Sequence, residues 1–106
     1  MKMKTVAFKM KLKPGCEAEY KKRHDEIWAE LKKLLQDSGI SDYHIFLDEE
    51  SLSLFAIQKL KENSTEAELP KHPIMKKWWK YMADLMEVNP DSSPVVIPLK
   101  EVFFMK

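Results

Sequence analysis

The period of the apolar residues switches between that of a strand and that of a helix along this chain, and the order of the switches restricts its fold more than any other feature. Lys4 to Leu12 alternates, with Val6, Phe8, Met10 and Leu12 on one side and Thr5, Ala7, Lys9 and Lys11 on the other. That is a half-buried strand, and Lys13-Pro14-Gly15 stops it. Over Cys16 to Ser38 the apolar positions recur at three- and four-residue steps: Tyr20, His24, Ile27, Trp28, Leu31, Leu34 and Leu35. This predicts one long amphipathic helix, with Gly39 where a C-terminal glycine belongs. Tyr43 to Leu47 and Leu52 to Lys59 are strand candidates joined by the polar turn Asp48-Glu49-Glu50-Ser51, which predicts a hairpin. Lys61 to His72 is polar and interrupted by Pro70, with room for a short turn of helix near Thr65 to Leu69. Pro73 suits the first position of a second helix, striped by Ile74, Met75, Trp78, Trp79, Met82, Leu85 and Met86. After the proline-punctuated loop Asn89 to Pro94, Leu99 to Met105 reads as a closing strand.

The order is βαββαβ, the split pattern of ferredoxin-like α+β folds: a four-stranded antiparallel sheet with two helices on one face. The 106 residues make one small domain, 1–106. The hairpin strands carry apolar residues on both faces, Phe46, Phe55 and Ile57 opposite Ile45, Leu54 and Ala56. Two helices cover only one face, so a second copy of the chain is expected on the other, as in a dimeric α+β barrel. Lys9 and Lys11 fit that second face less well.

Charge excludes several functions. Eighteen basic against seventeen acidic residues leave a net charge of +1, without the basic excess of a nucleic-acid binder. Arg23 is the single arginine, so bidentate guanidinium readout is nearly absent. No apolar run is long enough to span a membrane or serve as a secretory leader. Cys16, alone, can form neither an internal disulfide nor a cysteine-rich zinc site, and a cytoplasmic home is expected.

Few residues suit acid-base chemistry. His24 lies on the apolar stripe of the first helix, one turn after Tyr20, so both side chains share a face. Histidine exchanges protons near neutral pH; the alternative is a hydrogen-bonded core histidine beside a core tyrosine. Tyr43 opens a strand, where its phenol can reach a pocket or simply stand in water. Trp78 and Trp79 are adjacent on a helix and point about 100° apart, so one is expected in the core and the other beside a groove or interface. His24, His44 and His72 lack metal-ligand spacing, and the two glycines make no phosphate loop. Cys16, in the first helical turn, is a conceivable nucleophile without a supporting partner, and Lys76, Lys77 and Lys80 read as solubility residues.

Four separated segments resemble one family. Tyr20-Lys21-Lys22-Arg23-His24-Asp25-Glu26-Ile27-Trp28 is similar to the Y-x-x-R-H-x-x-I-W segment of the L-rhamnose mutarotases, and Asp42 to Asp48 resembles their second strand. Trp78 to Met86, followed by Asn89-Pro90-Asp91 and Ser93-Pro94-Val95, is similar to their second helix and loop, and the ending Leu99 to Phe103 also fits. Lys61 to His72, with Pro70 and Pro73, departs most. The resemblance implies a homodimeric isomerase that interconverts the anomers of L-rhamnose without metal or cofactor. It implies His24 as proton donor and Tyr20, Tyr43, Trp78 and Trp79 as substrate contacts. On this reading imidazolium His24 protonates the ring oxygen and its neutral form takes the proton back on closure, and the second acid-base group is unassigned. Two readings compete on the same scaffold, a haem-degrading or other monooxygenase and a non-catalytic ligand-binding dimer.

Overall fold

The computed structural model describes residues 3–106. Strand β1 (Met3–Lys11) is central, paired antiparallel along its length with β3 (Ser53–Lys61), from Met3 opposite Lys61 to Lys11 opposite Ser53. Strand β2 (Ile40–Asp48) flanks β3, and β4 (Ile97–Leu99) pairs with Ala7–Lys9 of β1. The order β2-β3-β1-β4 is the antiparallel ferredoxin-like sheet that the periodicity predicts. Helices α1 (Glu17–Asp25), α2 (Ala29–Asp37) and α3 (Pro73–Met82) supply the rest of the core, with a 3₁₀ turn at Glu66–Lys71 leading into α3. Met10, Leu12, Leu31, Leu54, Ala56, Met75, Trp78 and Met82 are buried in one continuous cluster.

The expected long helix over Cys16 to Ser38 is two helices. At the end of α1 the Glu26 N–H donates to the Lys22 carbonyl and the Ile27 N–H to that of His24, and Trp28 is extended at φ −60°, ψ 134° before α2 begins. Neither proline nor glycine stands at the break. The extended Trp28 instead sets its ring 5.1 Å from Trp78, edge-on, and 5.4 Å from Tyr81. Aromatic packing of this kind outweighs the few tenths of a kcal/mol per residue at stake in helix propensity.

Three other boundaries move. The second helix ends at Met82 rather than Met86; a turn follows, and Met86 bridges to Leu12 at the end of β1. The closing strand is Ile97–Leu99 rather than Leu99 to Met105, and Val102 to Met105 are 71–88% exposed beyond it. Strand β2 begins at Ile40, three residues before the alternation was legible.

A bulge explains the late legibility. Ile40 lies opposite Leu60 and Ser41 opposite Lys59, but His44 lies opposite Ile57 and Ile45 opposite Ala56. Strand β2 therefore holds one residue more than its partner between these pairs. Asp42 takes the left-handed region at φ +46°, which aspartate tolerates better than most residues. Ile40 and Ile45, five apart, thus pair with the buried Leu60 and Ala56 on the same, helix-covered face.

Candidate active site

The elements converge on a pocket of about 60 Å³ between the sheet and α3. Tyr20 and His24 come from α1, Tyr43 and Ile45 from β2, and Met10 from β1. Met75, Trp78, Trp79 and Met82 come from α3, with Met86, Ser92 and Pro94 from the segment after it. All five residues singled out in the sequence line this one pocket.

Spacing along α1 puts Tyr20 and His24 on one face, their ring centroids 4.4 Å apart. His24 meets the edge of Trp78 at 5.4 Å. The Nδ1 of His24 lies 3.1 Å from the Tyr20 carbonyl. A carbonyl only accepts, so Nδ1 carries the proton and donates it, and the Nε2 of the neutral ring keeps a free lone pair. Among the described residues no buried side-chain nitrogen or oxygen lacks a partner. Among the described residues His24 Nε2, Tyr20 Oη and Trp78 Nε1 have no protein hydrogen-bond partner, and all three residues line the pocket.

Burial pushes the His24 pKa below its ordinary 6.5, against weaker opposing effects of the Tyr20 carbonyl and Asp25. The resting imidazole at pH 7 is neutral. Burial, and secondarily the nearby Tyr43, raises the Tyr20 phenol pKa. Tyr43 as a whole is 38% exposed, but its titrating hydroxyl is enclosed by protein, and that burial raises its pKa against the opposing Gln58 amide. Both phenols stay protonated. Trp78 is buried against His24 and Trp28, while Trp79 is half-buried at the rim, which is the division expected of adjacent helix positions.

Arg23 has a structural task that sequence reasoning missed. Its Nε donates to Glu19 at 2.8 Å, and its Nη1 donates to the Tyr81 carbonyl at 2.6 Å and to Asp84 at 2.9 Å. The guanidinium also lies 4.3 Å from the centre of the Tyr81 ring. These contacts raise its pKa, the bond to Asp84 first, and lower that of Asp84. The contacts to Tyr81 and Asp84 tie α1 to the end of α3 beside His24. Uniqueness was the available signal: one arginine among seventeen lysines. Ser92 and Pro94 were also missed as lining residues, since only the loop around them was legible.

The other histidines stand apart. His44 stacks on Phe46 at 5.9 Å, and His72 precedes α3. Asp25 pairs with Lys21 and Cys16 lies outside the lining. Among the described residues no three His, Cys, Asp or Glu side chains are grouped to hold a metal ion.

The sequence pattern of the L-rhamnose mutarotase family matches residues 5–105. The chain is 55% identical over 104 residues to an L-rhamnose mutarotase of Formosa agariphila, covering 98% of this chain and 100% of that one. It is 59% identical over 103 residues to an L-rhamnose mutarotase of Bacteroides thetaiotaomicron, covering 97% and 99%. A crystal structure of the Formosa agariphila L-rhamnose mutarotase superposes with a TM-score of 0.90 at 54% identity, covering 97% of this chain and 99% of that one.

Proposed function

The chain belongs to the L-rhamnose mutarotase family, and from that premise we propose how its own residues interconvert the α and β anomers of L-rhamnopyranose. Ring opening moves one proton from O1 to O5, both bonded to C1. Neutral His24 Nε2 accepts the O1 proton as that O–H bond breaks. The C1–O5 bond then breaks as C1 becomes a carbonyl, and the imidazolium gives the same proton to O5. Rotation about C1–C2 presents the other carbonyl face, and the reverse transfers close the ring. This order begins from the neutral ring, the form burial favours, rather than from the imidazolium expected from sequence. It needs no second acid-base residue. Depressed basicity also makes the transient imidazolium a stronger acid toward O5.

Tyr20 and Tyr43 hold sugar hydroxyls through phenols that burial keeps neutral. Trp78 and Trp79 cover the apolar C–H face and the C6 methyl. The observation that carries the reading is that His24 lines the pocket with Nδ1 tied to the Tyr20 carbonyl, which leaves the Nε2 lone pair as the ring's base. Saturation transfer between the two H1 signals of L-rhamnose tests it. His24→Ala is expected to slow catalysed exchange about 10²–10⁴-fold; an unchanged rate removes His24 from the mechanism.

We also propose that two copies pair through the outer face of the sheet. Phe46 is 56% and Ile97 51% exposed there, and the apolar tail Val102 to Met105 continues from β4. A contiguous surface of this kind marks an interface in a chain this size. Light scattering is expected to give twice the mass of one chain, falling to one on Phe46→Lys; a monomeric wild type contradicts it. A cytoplasmic location is the compartment proposed. A single cysteine supports it, and among the described residues no helix is long and apolar enough to cross a membrane. Fractionation of the native host tests this, with recovery outside the cytoplasmic fraction as the contrary result.

A further inference from the structure

Beyond the reaction pocket lies a second, larger hollow of about 350 Å³, lined by Pro70, Lys76, Trp79, Lys80, Asp91 and Ser92. Trp79 and Ser92 line both spaces, so the hollow adjoins the pocket across one indole and one serine. It lies between the 3₁₀ turn, α3 and the loop after it, away from the sheet face proposed for pairing.

The chemistry fixes which end of a sugar meets His24. O1 must be free because the reaction uses its proton, and the C1–O5 edge must face His24. In a six-membered ring C4 stands opposite C1 and C3 opposite O5, so the 3- and 4-hydroxyls point away from His24. We propose that the hollow receives a substituent on one of those hydroxyls, so that the protein also equilibrates L-rhamnose at the reducing end of an oligosaccharide, with an acidic neighbouring sugar favoured. The inference rests on the mutarotase reading and on His24 meeting C1 and O5.

Three features support it. Trp79 and Pro70 offer flat apolar faces for sugar C–H groups, beside the polar ends of Lys76, Lys80, Asp91 and Ser92. Two ammonium groups against one carboxylate leave the wall positive, which suits a uronate or another anionic group. The rim is also preformed. Ser92 is held at φ +71° and its N–H donates to the Asn89 carbonyl at 2.9 Å, while the Ser93 N–H donates to Asp91 at 3.0 Å. Ordering a loop in advance reduces the entropy lost on binding.

The test is saturation transfer on L-rhamnose carrying glucuronosyl or glucosyl groups at O3, O4 or O2, with free L-rhamnose alongside. The expected result is protein-dependent exchange of an O3- or O4-linked sugar with kcat/KM within about tenfold of L-rhamnose. The O2-linked sugars, whose substituent points elsewhere, are expected to lose at least about 100-fold. Lys76→Gln and Lys80→Gln, singly and together, are expected to slow the glucuronosyl substrate and to leave L-rhamnose unchanged. Exchange of L-rhamnose with none of the O3- or O4-linked sugars overturns the inference. Equal rates for acidic and neutral substituents, unmoved by the lysine variants, overturn its charge preference. Inertness toward L-rhamnose itself overturns the mutarotase reading and this inference with it.

Discussion

Replacing Arg23 with methionine keeps the length of the stem and removes every donor that ties α1 to the end of α3. Four bonds to three partners are lost, two of them to Asp84, and they differ in worth. The partners Glu19 and Asp84 are 44% and 66% exposed, while the Arg23 side chain is only 13% exposed. Released carboxylates rehydrate, so each ion pair contributes no more than about 1 kcal/mol. The 2.6 Å bond to the Tyr81 carbonyl has a charged donor, for which about 1.5–3 kcal/mol is typical. The sum is about 2–3 kcal/mol after discounting for solvent screening, or roughly 10–20 °C in Tm for a domain of this size. Differential scanning calorimetry in low salt and in 1 M NaCl separates the contributions, since salt shortens the Debye length to about 3 Å and weakens the exposed pairs. The wild type is therefore expected to lose part of its advantage over Arg23→Met in salt and to keep the part due to the carbonyl. Exchange of L-rhamnose is expected to slow as well, because His24 follows Arg23 on the same helix and a 1 Å misplacement can cost about 10²-fold. A Tm loss under about 4 °C, the equivalent of one kcal/mol at most, would refute the argument that this arginine joins the two helices.

Further outcomes follow from the same geometry. The folded-state pKa of His24 is depressed, so kcat/KM is expected to fall on acidification with an apparent pKa below 6.5, and a profile flat into that region contradicts His24 as the base. The same shift bears on stability: the unfolded chain binds this proton more readily, so the wild type loses stability relative to His24→Gln as pH falls from 6.5 to the folded value, and the difference is constant above and below that window. Parallel urea titrations of the two proteins over pH check the sign. Gly15→Ala and Gly39→Ala both place a side chain at positive φ, but a Cβ at Gly15 meets nothing within 4 Å, whereas at Gly39 it meets Ser64 Cβ at 3.0 Å and Cα at 3.1 Å. Chemical denaturation is expected to show about 1 kcal/mol lost at Gly15 and about 2–3 kcal/mol at Gly39; equal losses contradict the steric account.

Legibility in the sequence tracked how local the determining contacts are. Strand β1, the hairpin and the stripe of α3 follow from alternation or helical spacing within a few residues, and so did the shared face of Tyr20 and His24. The break at Glu26 to Trp28 did not, because Trp78 and Tyr81, which hold Trp28 out of the helix, lie some fifty residues on. Arg23 escaped for the same reason: Asp84 is 61 positions away. The start of β2 was hidden by the bulge, which breaks the alternation between Ile40 and Tyr43. The closing strand is a different case. Val102 to Met105 has the composition of a strand, but within one chain nothing covers it.

The bulge at Asp42 makes β2 one residue longer than its pairing with β3 requires. A strand ordinarily has no tolerance for changes in length, since losing one residue turns every following side chain to the wrong face. Here the surplus residue is already outside the alternation. Removing residue 42 would place Tyr43 opposite Gln58 and leave Ile40, Tyr43 and Ile45 facing inward, with His44 and Ile45 keeping their present partners. The strand that supplies a wall of the pocket therefore contains one position at which the gene can shorten by a codon without scrambling inside and outside.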